Sequence, residues 1–128
     1  MKFGIGTAQF INNYGYMKKK IKLDNYFDTL NKSKIDLIDT AHGYGNAQKI
    51  IGRYLSKKKK IITKISSMKS IQSNYKLDFF KNSLEKCLNE LKRDKIHGLL
   101  FHDEKDILPH DKFSYYLDHL KTTQVIKK

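Results

Sequence analysis

Cysteine, proline and tryptophan are almost absent from this sequence. Among its 128 residues, Cys87 is the only cysteine, Pro109 is the only proline and there is no tryptophan. A single cysteine excludes an internal disulfide. No apolar run approaches the roughly 20 residues that a membrane-spanning helix needs. The first six residues also lack the apolar stretch of a secretory signal, so a cytoplasmic location is expected.

Arginine is scarce too, although the chain is strongly basic. The formal net charge is +13, yet Arg53 and Arg93 are the only arginines among 26 basic residues. Base readout and bidentate phosphate contacts favour arginine over lysine. The composition therefore favours a lysine-coated surface over a nucleic-acid-binding domain, and we expect neither nucleic acid nor a membrane as a partner.

Short apolar runs alternate with amphipathic stretches along the whole chain. Strands are predicted at 2–6, 35–38, 60–65 and 96–101, and helices at 23–31, 47–55, 77–91 and 113–120. In the third helix the apolar residues recur at helical spacing, and we expect Leu84, Leu88 and Leu91 to be buried against the sheet.

The order βαβαβαβα predicts an α/β fold with a parallel sheet covered by helices. Two architectures fit four such units. One is a small open sheet, and the other is the first half of a (β/α)8 TIM barrel, whose usual length is about 250 residues. The periodicity of the sequence does not choose between them.

Polar residues stand where each predicted strand ends. In chain order these are Thr7, which follows Gly6 after strand one, Asp39 at the end of strand two, Tyr44 in the loop that follows, Lys64 near the end of strand three, and His102 at the end of strand four. Taken singly, each fits an ordinary cap, turn or solvated strand end. Taken together, they would converge on the face where barrel enzymes keep their active sites. Lys64 lies within the apolar run 61–65 and would be costly to bury unpaired, so Asp39 on the neighbouring strand is its expected partner.

Several of these segments resemble a known family. Residues 38–45, Ile-Asp-Thr-Ala-His-Gly-Tyr-Gly, resemble the Asp-Thr-Ala-x-x-Tyr-Gly signature of aldo-keto reductases. Residues 6–10 with 13–15 resemble the first strand and loop of that family, 62–64 its lysine strand, and 83–91 with 99–102 its third helix and histidine strand. The resemblance implies a partial TIM barrel, with residues 1–128 as the N-terminal half of the barrel domain. The fifth strand would begin at 124–128.

The resemblance also implies an activity, the reduction of an aldehyde or ketone to an alcohol by an NADP(H)-dependent oxidoreductase. NAD(H) stays open as the cofactor. Tyr44 would donate the proton to the carbonyl oxygen, and Lys64 would stabilise the phenolate that remains. Asp39 would hold Lys64, and His102 would orient the carbonyl.

Cofactor contacts are expected at Gly6, Thr7 and Asp39, with no metal site. The family holds most of its cofactor with strands five to eight, so this chain alone is expected to be inactive. The opening Gly-Thr-Ala-Gln-Phe resembles a bacterial branch that acts on sugars, which suggests a small carbonyl substrate of the sugar type. Gln48 departs from the family, which usually has glutamate there.

A different class of function stays open beside this one. The chain could be a non-enzymatic, truncated remnant, or a half-barrel module that self-associates through its unpaired edge strands. Such a module would share every motif with the enzyme and would differ from it in lacking affinity for the cofactor.

Overall fold

The computed structural model describes residues 3–10, 22–106 and 111–127, and of residues 111 and 112 it describes the backbone only. Strands and helices alternate in this part of the chain, as predicted. They are β1 (Gly4–Gly6), α1 (Leu23–Lys32), β2 (Leu37–Asp39), α2 (Ala47–Tyr54), β3 (Lys60–Ile65), α3 (Lys76–Leu91), β4 (Gly98–Phe101) and α4 (Asp111–Thr122). Short 3-10 turns lie after β1 at Ala8–Phe10, directly before α3 at Ser73–Tyr75, and after β4 at Glu104–Asp106.

The four strands form one parallel sheet in the order β1-β2-β3-β4. A doubly wound sheet would reverse its strand order at a switch point, whereas a barrel adds each strand beside the preceding one. The sequential order therefore selects the barrel architecture over the open sheet. The chain forms the first four βα units of a (β/α)8 barrel.

Successive side chains along each strand point to opposite faces of the sheet. The two faces have different surroundings. Ile38, Ile61 and Ile65 are buried in the core cluster that also contains residues of all four helices. Asp39 lies on the opposite face, level with Gly6 on β1 and Ile62 on β3. This second face corresponds to the interior of the barrel.

Helix α3 corrects one prediction about the core. Leu84 and Leu91 are buried as expected, but Leu88 is only partly buried. The buried stripe runs through Phe80, Ser83, Leu84, Cys87 and Leu91. Leu88 follows Cys87 by one residue, about 100° further round the helix, and so lies at the margin of the stripe.

The chain beyond α4 returns to the edge of the sheet. Ile96, just before β4, forms a parallel bridge with Ile126, and its N–H donates to the carbonyl of Val125 over 2.9 Å. This contact lies where a fifth strand was predicted to begin. In the described part of the chain, no helix is long and apolar enough to span a bilayer.

Candidate active site

An ion pair joins β2 and β3 at the carboxyl edge of the sheet. Lys64 Nζ donates to Asp39 Oδ1 over 2.6 Å. Asp39 is the register partner of Ile62, so Lys64, two residues further on, points from the same face of the neighbouring strand. The predicted pairing is therefore present, and it gives the ammonium group a counter-charge in an otherwise apolar strand.

The end of β1 supports Asp39 from the other side. The backbone N–H and the hydroxyl of Thr7 both donate to the carbonyl of Asp39, over 3.0 and 3.1 Å. Thr7 is fully buried, so this placement does not support its predicted role as a direct cofactor contact. Gly6, level with Asp39, borders open space, since a Cβ built there would meet no atom within 4 Å.

The loop between β2 and α2 carries Tyr44 and is hydrogen-bonded to β3. The N–H of Thr40 donates to the backbone carbonyl of Ile62 over 2.9 Å, and the N–H of His42 donates to the backbone carbonyl of Lys64 over 3.1 Å. Gly45 has a left-handed φ of 55°, which glycine adopts without steric cost where the loop turns toward α2. These bonds bring the half-buried Tyr44 ring to Lys64, whose Nζ lies 5.6 Å from the ring centroid.

His102 lies at the same edge but outside this group. It follows the last residue of β4, and its exposed side chain makes no hydrogen bond, ion pair or ring contact with Asp39, Tyr44 or Lys64 in the described structure. Its loop is nevertheless anchored. Asp103 pairs with Lys69 over 2.5 Å, and the Asp106 carboxylate accepts the N–H of Met68 over 3.0 Å.

The Asp103–Lys69 pair has the expected electrostatic effect on both partners. The hydrogen bond from Lys69 lowers the pKa of the Asp103 carboxyl, and the same bond raises the pKa of Lys69. Because the Lys69 side chain is exposed to solvent, the contribution of the pair to stability is small. Its consequence is positional, since it ties the loop that carries His102 to the loop that follows β3.

A buried polar network close to the Tyr44 loop was not predicted from the sequence. Gln48 Nε2 donates to Thr63 Oγ1 over 2.6 Å and contacts Cys87 Sγ at 3.4 Å. Cys87 Sγ lies 3.8 Å from His42 Nδ1. The network thus connects α2, β3, α3 and the loop that carries Tyr44. A glutamine on the apolar face of an amphipathic helix was the one signal in the sequence that could have indicated it.

Burial has the largest effect on the Cys87 thiol in this network. It raises the pKa of the Cys87 thiol, with the hydrogen bond from Gln48 opposing it. Gln48 Oε1 is buried and has no hydrogen-bond partner among the described residues. In the same part of the chain, no group of three or more histidine, cysteine or acidic side chains could hold a metal ion.

Solved structures resemble this fold over nearly the whole chain. A Pseudomonas aeruginosa protein assigned to the aldo-keto reductases is 26% identical, with a TM-score of 0.72, and the match covers 96% of this chain and 52% of that one. The holo form of an aldo-keto reductase from Bacillus halodurans is 20% identical, with a TM-score of 0.71 and coverage of 98% and 44%. An aldose reductase from Schistosoma japonicum, at 15% identity and a TM-score of 0.64, shows the same fold.

The chain spans about half the length of these structures. No curated protein matches it in sequence. The sequence model of the aldo/keto reductase family matches residues 2–127, almost the entire chain. Together with the parallel half-barrel, this match shows that the chain belongs to the aldo/keto reductase family.

Proposed function

We propose that residues 1–128 form the N-terminal half of one barrel domain and supply the catalytic side chains for reducing an aldehyde or ketone to an alcohol. The proposed cofactor is NADP(H), and the proposed substrate is a small carbonyl compound of the sugar type. The observation that carries this proposal is the Asp39–Lys64 ion pair beside the Tyr44 ring, at the edge where barrel enzymes bind substrates.

Tyr44 acts as the proton donor in this proposal. When the cofactor is bound, its nicotinamide supplies hydride to the carbonyl carbon, and the oxygen then needs one proton. Tyr44 Oη makes no hydrogen bond to any described residue, so its O–H is available for that oxygen. Proton transfer leaves a phenolate, which the neighbouring Lys64 ammonium stabilises.

Asp39 acts through Lys64. Its Oδ1 accepts the short hydrogen bond from Nζ, which holds the ammonium group beside the tyrosine ring. The two hydrogen bonds from Thr7 fix the Asp39 backbone, so Thr7 is assigned a positioning role. His102 is proposed to orient the carbonyl group, and its exposed side chain has room to turn toward the edge.

The residues present fit one end of a nicotinamide cofactor. Gly6 leaves open space beside the partly exposed Asp39 carboxylate, and Leu100 is exposed to 45% on the barrel-interior face. A flat ring would lie beside Gly6 and the carboxylate, with the apolar surface of Leu100 on the same face two strands away from Asp39. In barrels the phosphate groups are usually bound after strands seven and eight, which lie in the second half of a complete barrel.

The test is a fusion of residues 1–128 to the later strands of the Pseudomonas aeruginosa relative. In this fusion we expect Tyr44→Phe to lower kcat about 100- to 10,000-fold, because it removes the proton donor. Cofactor binding, followed by fluorescence, should be unchanged. Tyr54→Phe is the matched control, because it removes a phenol from α2, where the ring stacks on Phe27 away from the site. Full activity of the Tyr44→Phe fusion would refute the mechanism.

A second candidate, self-association, is favoured by the open edges of the sheet. Within the described residues, strand β1 pairs on one side only, and Leu100 exposes an apolar surface on the barrel-interior face. Unpaired strand edges template pairing with another chain. Light scattering after gel filtration would show a dimer under this proposal and a monomer without it.

A further inference from the structure

A groove of about 900 Å³ opens at the opposite edge of the sheet from the candidate active site. Its walls are residues 57–61, residues 93–97 and the segment around the end of α4. Lys60 is the first residue of β3, and Lys64 lies four residues further along the same strand. At about 3.3 Å per residue, the groove is therefore some 13 Å from the ion pair, and a ligand there would not compete with substrate.

The lining of this groove is strongly cationic. Seven lysines and Arg93 face a single acidic residue, Asp94. One of these lysines, Lys60, pairs with Asp36. Within the described residues, the others make no ion pair, and the exposed ones are Lys57, Lys58, Lys95, Lys121 and Lys127.

The two remaining cations of the lining, Arg93 and Lys59, are hydrogen-bonded to the backbone of the wall. Arg93 donates to the carbonyls of Lys57 and Ser56 over 2.6 and 2.7 Å. Lys59, only 9% exposed, donates to the carbonyls of Ser33 and Ile35 over 2.8 and 2.7 Å. The groove is thus formed by an ordered backbone loop and does not depend on flexible side chains alone.

Neither of these cations forms a direct ion pair in the described structure, although Lys59 lies near enough to the Asp36 carboxylate to interact with it electrostatically. The Nε of Arg93 is buried without a hydrogen-bond partner in the described structure, and burial lowers the pKa of its guanidinium group. Holding the Arg93 charge in a partly desolvated wall without a carboxylate beside it is unfavourable. An anion in the groove would supply the missing negative charge.

We propose that this groove binds a small anion that carries two or more phosphate groups. Its volume lies within the roughly 300–1,000 Å³ that is common for small-molecule sites. A concave, single-sign surface concentrates the electrostatic field. The free lysines come from three separate segments, so they can contact several phosphates of one ligand. No phenylalanine or tyrosine is among the described residues that line the groove, whereas single-stranded nucleic acid is usually bound by stacking aromatic side chains.

The experiment titrates the chain with sodium tripolyphosphate in a calorimeter at low and at physiological ionic strength. The groove variant combines Lys58→Gln, Lys95→Gln and Lys121→Gln, all at exposed positions. The matched control combines Lys22→Gln, Lys86→Gln and Lys105→Gln, which are exposed lysines outside the groove. Both variants lose three charges, so any difference between them reports on the groove and not on net charge.

We expect one anion per chain, with affinity at least about tenfold weaker in the groove variant and nearly unchanged in the control. Equal weakening in both variants, several anions per chain, or no binding by the native chain would overturn the proposal. Orthophosphate binding as tightly as tripolyphosphate would overturn the requirement for several phosphates. If a short single-stranded DNA bound more tightly than tripolyphosphate, and the groove variant weakened that binding, the ligand would be nucleic acid and the proposal would be wrong.

Discussion

Lys64 illustrates how one charged residue organises its surroundings. Its neighbours Thr63 and Ile65 are fully buried on the helix-facing side of β3, while its own side chain reaches the barrel-interior face. An ammonium group there needs a counter-charge, and the bond to Asp39 provides it. The same contact sets the position of the positive charge relative to Tyr44, so a requirement of folding also prepares the proposed chemistry.

Cys87 is the residue whose reactivity the structure predicts most directly. The thiolate is the reactive form of cysteine, and burial raises the pKa of this thiol, so the thiolate fraction is smaller than in an exposed cysteine. We expect iodoacetamide to modify Cys87 in the folded chain at least about tenfold more slowly than in the chain unfolded by guanidinium chloride. Mass spectrometry of timed samples measures both rates. Equal rates would contradict the burial of this side chain.

At the scale of elements, helices α2 and α3 pack unusually close together at Gly52. A Cβ built on Gly52 would lie 2.2 Å from the carbonyl oxygen of Glu90 and 2.8 Å from the carbonyl carbon of Leu91. Real Cβ atoms do not approach backbone so closely, so a side chain here would have to push the two helices apart. The small residue therefore sets the distance between the helices that enclose the network of Gln48 and Cys87.

Gly52→Ala should destabilise the chain despite the better helix propensity of alanine. Propensity favours alanine by about 1 kcal/mol, whereas overpacking a helix contact costs about 1–3 kcal/mol. The larger steric cost predicts a lower urea midpoint. Gly43→Ala is the matched control, because a Cβ at Gly43 would meet no atom within 4 Å. A Gly52→Ala midpoint equal to or above that of the control would contradict the close packing.

At the scale of the whole molecule, the chain holds two sets of polar groups at opposite edges of one sheet. The ion pair and Tyr44 lie at the carboxyl edge, and the cationic groove lies at the amino edge. Completion of the barrel would enclose the first set, because the barrel-interior face with Leu100 is open in this half. The parallel bridge of Ile126 to Ile96 shows the direction from which the next strand would join.

We expect residues 1–128 alone to show negligible NADPH-dependent reduction of a simple aldehyde. Positioning of the reacting groups supplies much of the rate, at about 7–11 kcal/mol in well-oriented systems, and half a barrel lacks the usual phosphate-binding loops. Fusion to the missing strands should restore turnover, measured by the loss of NADPH absorbance. Comparable turnover by the isolated chain and by the fusion would show that the second half is not needed.

Local patterns in the sequence determined the order of elements and much of the site. The bounds of β3 matched the prediction at both ends, because its apolar run begins after a lysine cluster and ends before two serines, which defines the strand locally. Strands β2 and β4 were shifted or shorter, at 37–39 and 98–101, since strand ends depend on the hydrogen bonds that neighbours provide. The pairing of Asp39 with Lys64 was also predictable, because a parallel sheet brings successive strand ends together.

Contacts between distant segments were decided by the tertiary structure alone. Gln48 and Cys87 are 39 residues apart in sequence, and His42 and Cys87 are 45 apart, so no local period relates them. The burial of Thr7 and the partial exposure of Leu88 likewise depend on which neighbours pack against them. The groove needs three separate segments to meet at one edge of the sheet. Periodicity specifies which face of an element is apolar, but only packing specifies which residues of other elements meet that face.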